Sequence, residues 1–174
     1  MKKSAISPDP GYFGRYVDLI ADGELMDALQ QSREELEAVD MERWQAVGNR
    51  TYAPGKWTLL DIVQHLIDTE RIFCYRALRF ARHDATPLSG FSQDAFAAHT
   101  TARKIAIGKL IGEWKLLRQS TLLMFEGFDD EMLLRTGVCN NTEMSVLAIG
   151  FTICGHQHHH LMIAEERYLP LAGK

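Results

Sequence analysis

Four of the seven histidines in this 174-residue chain fall within five positions, His156, His158, His159 and His160. The stretch around them, Val146 to Tyr168, otherwise has the composition of an apolar helix. Residues four apart share a helix face, so His156 and His160 set two imidazoles side by side, with His159 on an adjoining stripe. Two neutral imidazoles at that spacing are half a site for a divalent metal. A polar face or a hydrogen-bonded core histidine is the simpler reading of any one of them; four together on so apolar a helix favour metal.

Such a site needs a third protein ligand from another element, with solvent or substrate completing the coordination. His65 is the candidate, because His65, Thr69, Ile72 and Arg76 are spaced to form one stripe beside an apolar helical face. His158 lies about 160 degrees around the helix from His156, cannot share its metal, and reads as a core or dimer-surface residue. His159 is close enough to support a ligand or to act as an alternative one. His83 and His99 fall in or beside a loop and read as solvated.

No catalytic residue is assigned. Glu70, between Ile67 and Phe73, Arg76 on the His65 stripe, and His159 are the pocket candidates; the first two could position an anionic substrate or tune the metal. Asp68 and Arg71 read as members of surface ion pairs. Cys154, among Phe151, Ile153 and Leu161, reads as an inert packed thiol, and Trp57, Trp114 and Tyr168 as core.

Two familiar metal chemistries are disfavoured. A helical metalloprotease pair needs Glu directly after the first His, and position 157 is Gln. Di-iron bundles need Glu-x-x-His on two helices, and Ile62 and Ile153 stand where those glutamates would be. What remains is a mononuclear three-His site suited to Zn, Ni or a similar ion, able to acidify a bound water or to bind a substrate thiolate.

The elements that must position these residues are helical. Leu25, Leu29, Leu36 and Val39 recur at helical spacing over Glu24 to Val39, after a proline-punctuated arm of about 20 residues in which Tyr12 to Val17 can form a short helix. Thr58 and Asp61 form a capping pair opening a second helix, Thr58 to about Arg82, whose stripe is Leu59, Ile62, Leu66, Phe73, Ala77 and Phe80. A loop with Pro87 and Gly90 follows over Asp84 to Asp94. A third helix spans roughly Thr101 to Phe125. Glu126 to Glu143 reads as a connection with a helical turn near Glu131 to Leu134, and Thr142 or Ser145 caps the fourth helix. No stretch of period-two alternation indicates a strand. We therefore expect an all-α fold, a four-helix bundle in one domain covering 1–174.

The charge balance, 19 Lys plus Arg against 23 Asp plus Glu, gives a net charge of −4 and no basic excess for nucleic acid. The N-terminus shows no secretion signal, the apolar stretches are broken well short of a bilayer span, and the three cysteines have no CxxC spacing. A cytoplasmic protein without membrane or nucleic-acid partners is expected.

Several stretches together resemble the DinB superfamily: Arg50 to Thr58, Asp61 with His65 to Arg71, Tyr75 to Arg79, Thr86 to Phe91, Gly155 to His160 and Glu166 to Leu169. The resemblance implies an up-down-down-up four-helix bundle, commonly dimeric, with a divalent metal held by one His from the second helix and an HxxxH pair from the fourth. Carried onto this chain those ligands are His65, His156 and His160, the three chosen by spacing. Gln157 departs from the family's frequent Glu at a position that is not a ligand. Relatives include transferases and isomerases that use low-molecular-weight thiols, and proteins described only as hydrolases. The expectation is a metal-dependent enzyme acting on a small molecule by thiol or water activation. The alternative is a non-catalytic, stress-induced metal-binding protein or dimeric interaction module.

Overall fold

Thr58 starts the helix that carries His65 through a reciprocal cap: the Asp61 amide donates to Thr58 Oγ1 at 3.2 Å, and the Thr58 amide donates to Asp61 Oδ2 at 2.8 Å. Arg103 closes on the same carboxylate, its Nε lying 3.0 and 2.9 Å from the two oxygens. Burial raises the pKa of Asp61, but the hydrogen bonds from Arg103 and Thr58 outweigh it and hold the carboxyl below its ordinary value.

In the computed structural model, which describes residues 1–173, 3-10 turns at Lys3–Ala5 and Gly11–Phe13 lead into α1, Gly14–Val17. There follow α2, Leu25–Glu37; α3, Met41–Val47; α4, Leu59–Ala81; α5, Gln93–His99; α6, Ile107–Glu126; and α7, Asp130–Leu134. A hairpin, β1 Thr136–Cys139 and β2 Thr142–Ser145, precedes α8, Val146–Ile163. Beyond α8 the chain runs on as a π-helical segment, Ala164–Tyr168, and a 3-10 turn, Leu169–Leu171.

The long helices α2, α4, α6 and α8 make a four-helix bundle in which α2 and α4 each pack against both α6 and α8. Two apolar clusters fill it. One joins the start of α2 and α8 to the ends of α4 and α6, through Leu25, Phe73, Phe80, Phe125 and Phe151. The other joins Leu36, Leu59, Ile67, Ile111, Trp114 and Tyr168 at the opposite end. Between them a polar belt crosses the bundle: Ser32, His65, Thr69, Glu70, Arg118, Thr121, His156 and Gln157, all buried.

The first three turns of α8 are apolar on every side and so are covered on every side. Residues 146–157 are all buried, and α1 of the N-terminal arm packs on the face left open by α2 and α4. That packing needs Gly155: a Cβ there would lie 1.9 Å from the Tyr16 carbonyl oxygen. Ser145 caps the helix, accepting from the Ala148 amide at 3.2 Å.

The structure departs from the sequence reading at its short elements. The helices α3 and α5 have seven residues each, too few to display a period, and are revealed instead by their caps: Asp40 accepts from the Arg43 amide, and Ser92 from the Ala95 amide. The third long helix begins at Ile107, not Thr101, because Ala102–Lys104 forms a 3-10 turn that brings Arg103 to Asp61. The stretch read as an irregular connection contains the hairpin, a correction to the strand-free expectation. Asn140 and Asn141 take φ of 50° and 60°, the left-handed pair that turns two short strands back on each other. Gly137 lets the hairpin cross α4, since a Cβ there would meet the Phe80 ring at 2.2 Å. Among the described residues no helix is long and apolar enough to cross a membrane.

Candidate metal centre

His65 and His156 approach with Nε2 atoms 3.1 Å apart, and His160 Nε2 lies 3.2 Å from His156 Nε2. The three form one group whose candidate ligand atoms all lie within 4.8 Å of one another. Metal–imidazole bonds near 2.05 Å put two nitrogens about 2.9 Å apart at a right angle and about 3.3 Å apart at the tetrahedral angle, which brackets both close separations. Both close pairs thus have the separation that a single divalent ion imposes on its imidazole ligands.

The electrostatics fit as well. Burial pushes His65 down to about 4, Asp94 opposing it, and His160 to about 3, with the neighbouring His65 and His159 adding to the effect. Burial likewise takes His156 well below its ordinary value, helped by the adjacent imidazoles. All three rings are neutral at physiological pH, the state in which a lone pair is available to a metal. Thr69 Oγ1 lies 3.4 Å from His65 Nδ1, placed to accept that proton and leave Nε2 free to ligate. Trp57 packs on the other side of His65, ring centroids 5.0 Å apart, and Tyr16 stands edge-on to His156 at 4.9 Å. Trp57, expected in the core, is only half-buried.

Two openings meet at the triad. A cavity of about 210 Å³ is lined by His65, His156, Thr69 and Arg76, by the aromatic residues Tyr12, Phe13, Tyr16, Phe73 and Phe91, and by the amides of Gln93 and Asn140. A second, of about 290 Å³, is reached past His160, Trp57, Asp94 and Tyr168, and Gln93 lines both. The loop between α4 and α5 is held over the first by the hairpin, where the Leu88 amide donates to the Val138 carbonyl at 2.9 Å and the Asn140 amide to the Leu88 carbonyl at 3.0 Å.

The other sequence candidates divide. Arg76 lines the first cavity. Glu70 does not: its oxygens accept from Arg118 Nε and Nη2 at 2.8 and 2.9 Å, Trp114 Nε1 at 3.1 Å and Thr121 Oγ1 at 2.7 Å, a closed network facing α6. One step around the helix from Thr69 was enough to turn it from the pocket to the helix interface. His159 stands beside Tyr16 and His160, with centroids 5.6 and 5.1 Å away, outside the convergent group. His158 turns to Glu35, 3.3 Å away, and Gln157 donates to the Ser32 carbonyl at 2.6 Å. A glutamate at 157 would thus face α2, away from the triad.

Asp68 and Arg71 bond to Gln64 and Glu113, and His83 and His99 are exposed. All three cysteines are free; burial lifts Cys74 to about 12 and Cys154 to about 11, so both thiols are protonated at neutral pH. Sequence reasoning missed the aromatic wall, for which the arm's Tyr12, Phe13 and Tyr16 carry no signal beyond their type.

Comparison with known proteins adds a family and a fold. The model of the DinB superfamily matches residues 25–164. Among solved structures the chain is similar to YfiT from Bacillus subtilis, described as a probable metal-dependent hydrolase with an unusual four-helix bundle topology. The TM-score is 0.64 at 15% identity, over 96% of this chain and 89% of that one. No curated protein matches.

Proposed function

This chain belongs to the DinB superfamily, and we propose that it is a divalent-metal-dependent enzyme that acts on a small molecule beside His65, His156 and His160. The carrying observation is the convergence of three neutral imidazoles from α4 and α8, two buried and His160 half-buried, on one point open to a cavity. The all-imidazole donor set suits zinc or nickel. When bound, such an ion is a Lewis acid that acidifies a coordinated water or thiol. The chain's own part is to keep the imidazoles deprotonated by burial, to orient His65 through Thr69, and to exclude bulk water with Phe13, Phe73 and Phe91.

Two chemistries are supported by different observations. Hydrolysis is favoured by likeness to the fold of YfiT and that protein's description. Transfer of a low-molecular-weight thiol is favoured by the aromatic lining of the first cavity, which contains no carboxylate to serve as a general base, the nearest one, Asp94, lining the second opening. Homodimerisation belongs to the same reading, supported by Leu116 and Leu123, seven residues apart and exposed on α6.

Elemental analysis of untagged protein, before and after incubation with Zn and Ni, tests the core of this reading. One ion per chain, lost in His65→Ala, His156→Ala and His160→Ala variants that still fold, is expected; no stoichiometric ion overturns it. Esters and amides in one panel, and electrophiles with bacillithiol, mycothiol, glutathione or coenzyme A in another, separate the two chemistries. A cobalt-substituted spectrum that no small thiol or azide perturbs would assign the site to non-catalytic metal binding.

A further inference from the structure

We propose that Arg76 is the anion-binding residue of this cavity and that the substrate is a small carboxylate whose apolar body lies against Phe13, Phe73 and Phe91. The assignment rests on the cavity being the substrate's, as argued above, and names the substrate's chemical class.

Arg76 is only 3% exposed, yet no carboxylate pairs with it among the described residues. Its Nη2 donates one hydrogen bond, at 3.0 Å, to the Ser89 carbonyl, a neutral acceptor, and its buried Nε has no partner. The fold treats its other deeply buried arginine differently: Arg118 sits in a double hydrogen bond to Glu70. A buried guanidinium without a counter-charge is costly, and evolution ordinarily relieves it by pairing or by substitution. Burial accordingly lowers the pKa of Arg76.

The lining explains what the missing partner is. The cavity contains aromatic rings, two amides, a threonine and two of the three convergent histidines, and neither Asp nor Glu. A planar carboxylate matches the fork of a guanidinium in two parallel hydrogen bonds, and desolvation strengthens them. Arg76 lies three turns along α4 from His65 on the same stripe. A bound molecule therefore has its carboxylate at one end and its reacting group at the imidazole end, with the rings between.

Calorimetric titration of the full-length, untagged protein with benzoate, and with benzamide as its uncharged counterpart, tests this in metal-free and zinc-loaded samples. The metal-free protein is expected to prefer benzoate by about 10- to 100-fold, the range for a hydrogen-bonded charge. Arg76→Met should erase the preference and melt at the same temperature or higher, because it removes an unpaired buried charge; Arg76→Lys should keep part of the preference. Equal affinity for the two probes in the unaltered protein, or a preference that survives Arg76→Met, overturns the assignment. A lower melting temperature with the preference intact would make Arg76 a tether for the Ser89 loop and also overturns it. Should Arg76→Met fail to fold, the comparison of probes and Arg76→Lys decides. Cobalt absorption on the same samples separates the two readings: cobalt bound without a benzoate preference sinks only the anion site, and a preference without cobalt binding sinks only the metal centre.

Discussion

Glu70 offers the sharpest test of how this fold divides structure from chemistry. Spacing along α4 makes it a pocket candidate, while the folded chain encloses it with Arg118, Trp114 and Thr121. Glu70→Ala leaves Arg118, 1% exposed, without its counter-charge, and removing one partner of a buried pair costs about 3–5 kcal/mol. In a chain of this size that is a fall in melting temperature of roughly 6–20 °C. The double change Glu70→Leu with Arg118→Met removes both charges at similar volume. Thr121 then falls back on the Leu117 carbonyl at 3.1 Å and Ser32 on the Leu29 carbonyl at 2.8 Å, so only the Trp114 N–H is newly orphaned. One orphan costs about 1–3 kcal/mol, against about 1–4 kcal/mol gained where an apolar pair replaces a buried ionic one. The double variant should therefore lie between about 2 kcal/mol below and about 3 kcal/mol above the unaltered protein, far above either single variant. Urea unfolding of the four proteins measures this cycle, and cobalt absorption measures the site in parallel. Additive losses, or a cobalt spectrum altered in a well-folded double variant, would refute the structural role given to Glu70.

Gly155→Ala forces the arm off α8 at Tyr16, and overpacking of this kind costs about 1–3 kcal/mol; we expect a lower melting temperature and faster hydrogen exchange over residues 12–17, by mass spectrometry. Asp61→Asn should lower stability at pH 7, because the folded carboxyl is held below its ordinary value. A depressed carboxylate stabilises the fold above its unfolded pKa, about 4, and the contribution is lost as pH falls through the lower folded value, so the gap between variant and parent should close in acid-unfolding profiles.

The long elements were legible because their signals are local and repeated. The Thr58 and Asp61 cap, the stripe through Phe80 and the Ser145 cap all depend on residues within one or two turns. The histidine convergence was legible for the same reason on α8, where i and i+4 fix the pair, and for His65 because its stripe borders the apolar face. What stayed hidden depends on distant partners. Whether position 70 faces the cavity or α6 is decided by Arg118, 48 residues away. The arm's aromatic wall depends on a contact between Tyr16 and Gly155 that neither residue announces. The hairpin escaped notice because four-residue strands give alternation too little length, although Asn140-Asn141 is a turn signal in its own right.

The charge distribution ties the two halves of the polar belt together. On the α6 side, each charge has its opposite: Glu70 answers Arg118, and the network is closed to solvent. On the cavity side Arg76 has no such counter-charge, and the carboxylate nearest the triad, Asp94, lines the second opening. Three imidazoles kept neutral by burial bring no charge to offset a divalent cation, and Arg76 adds another positive group at the far end of the same cavity. With a divalent ion bound, the proposed site would favour an anionic ligand, and a carboxylate is one that both a metal and a guanidinium can bind. The same imbalance accounts for placing the histidines in the belt between two apolar clusters instead of on the surface: low local polarity depresses their pKa values, keeps them ready as ligands, and strengthens the attraction for whatever negative group arrives.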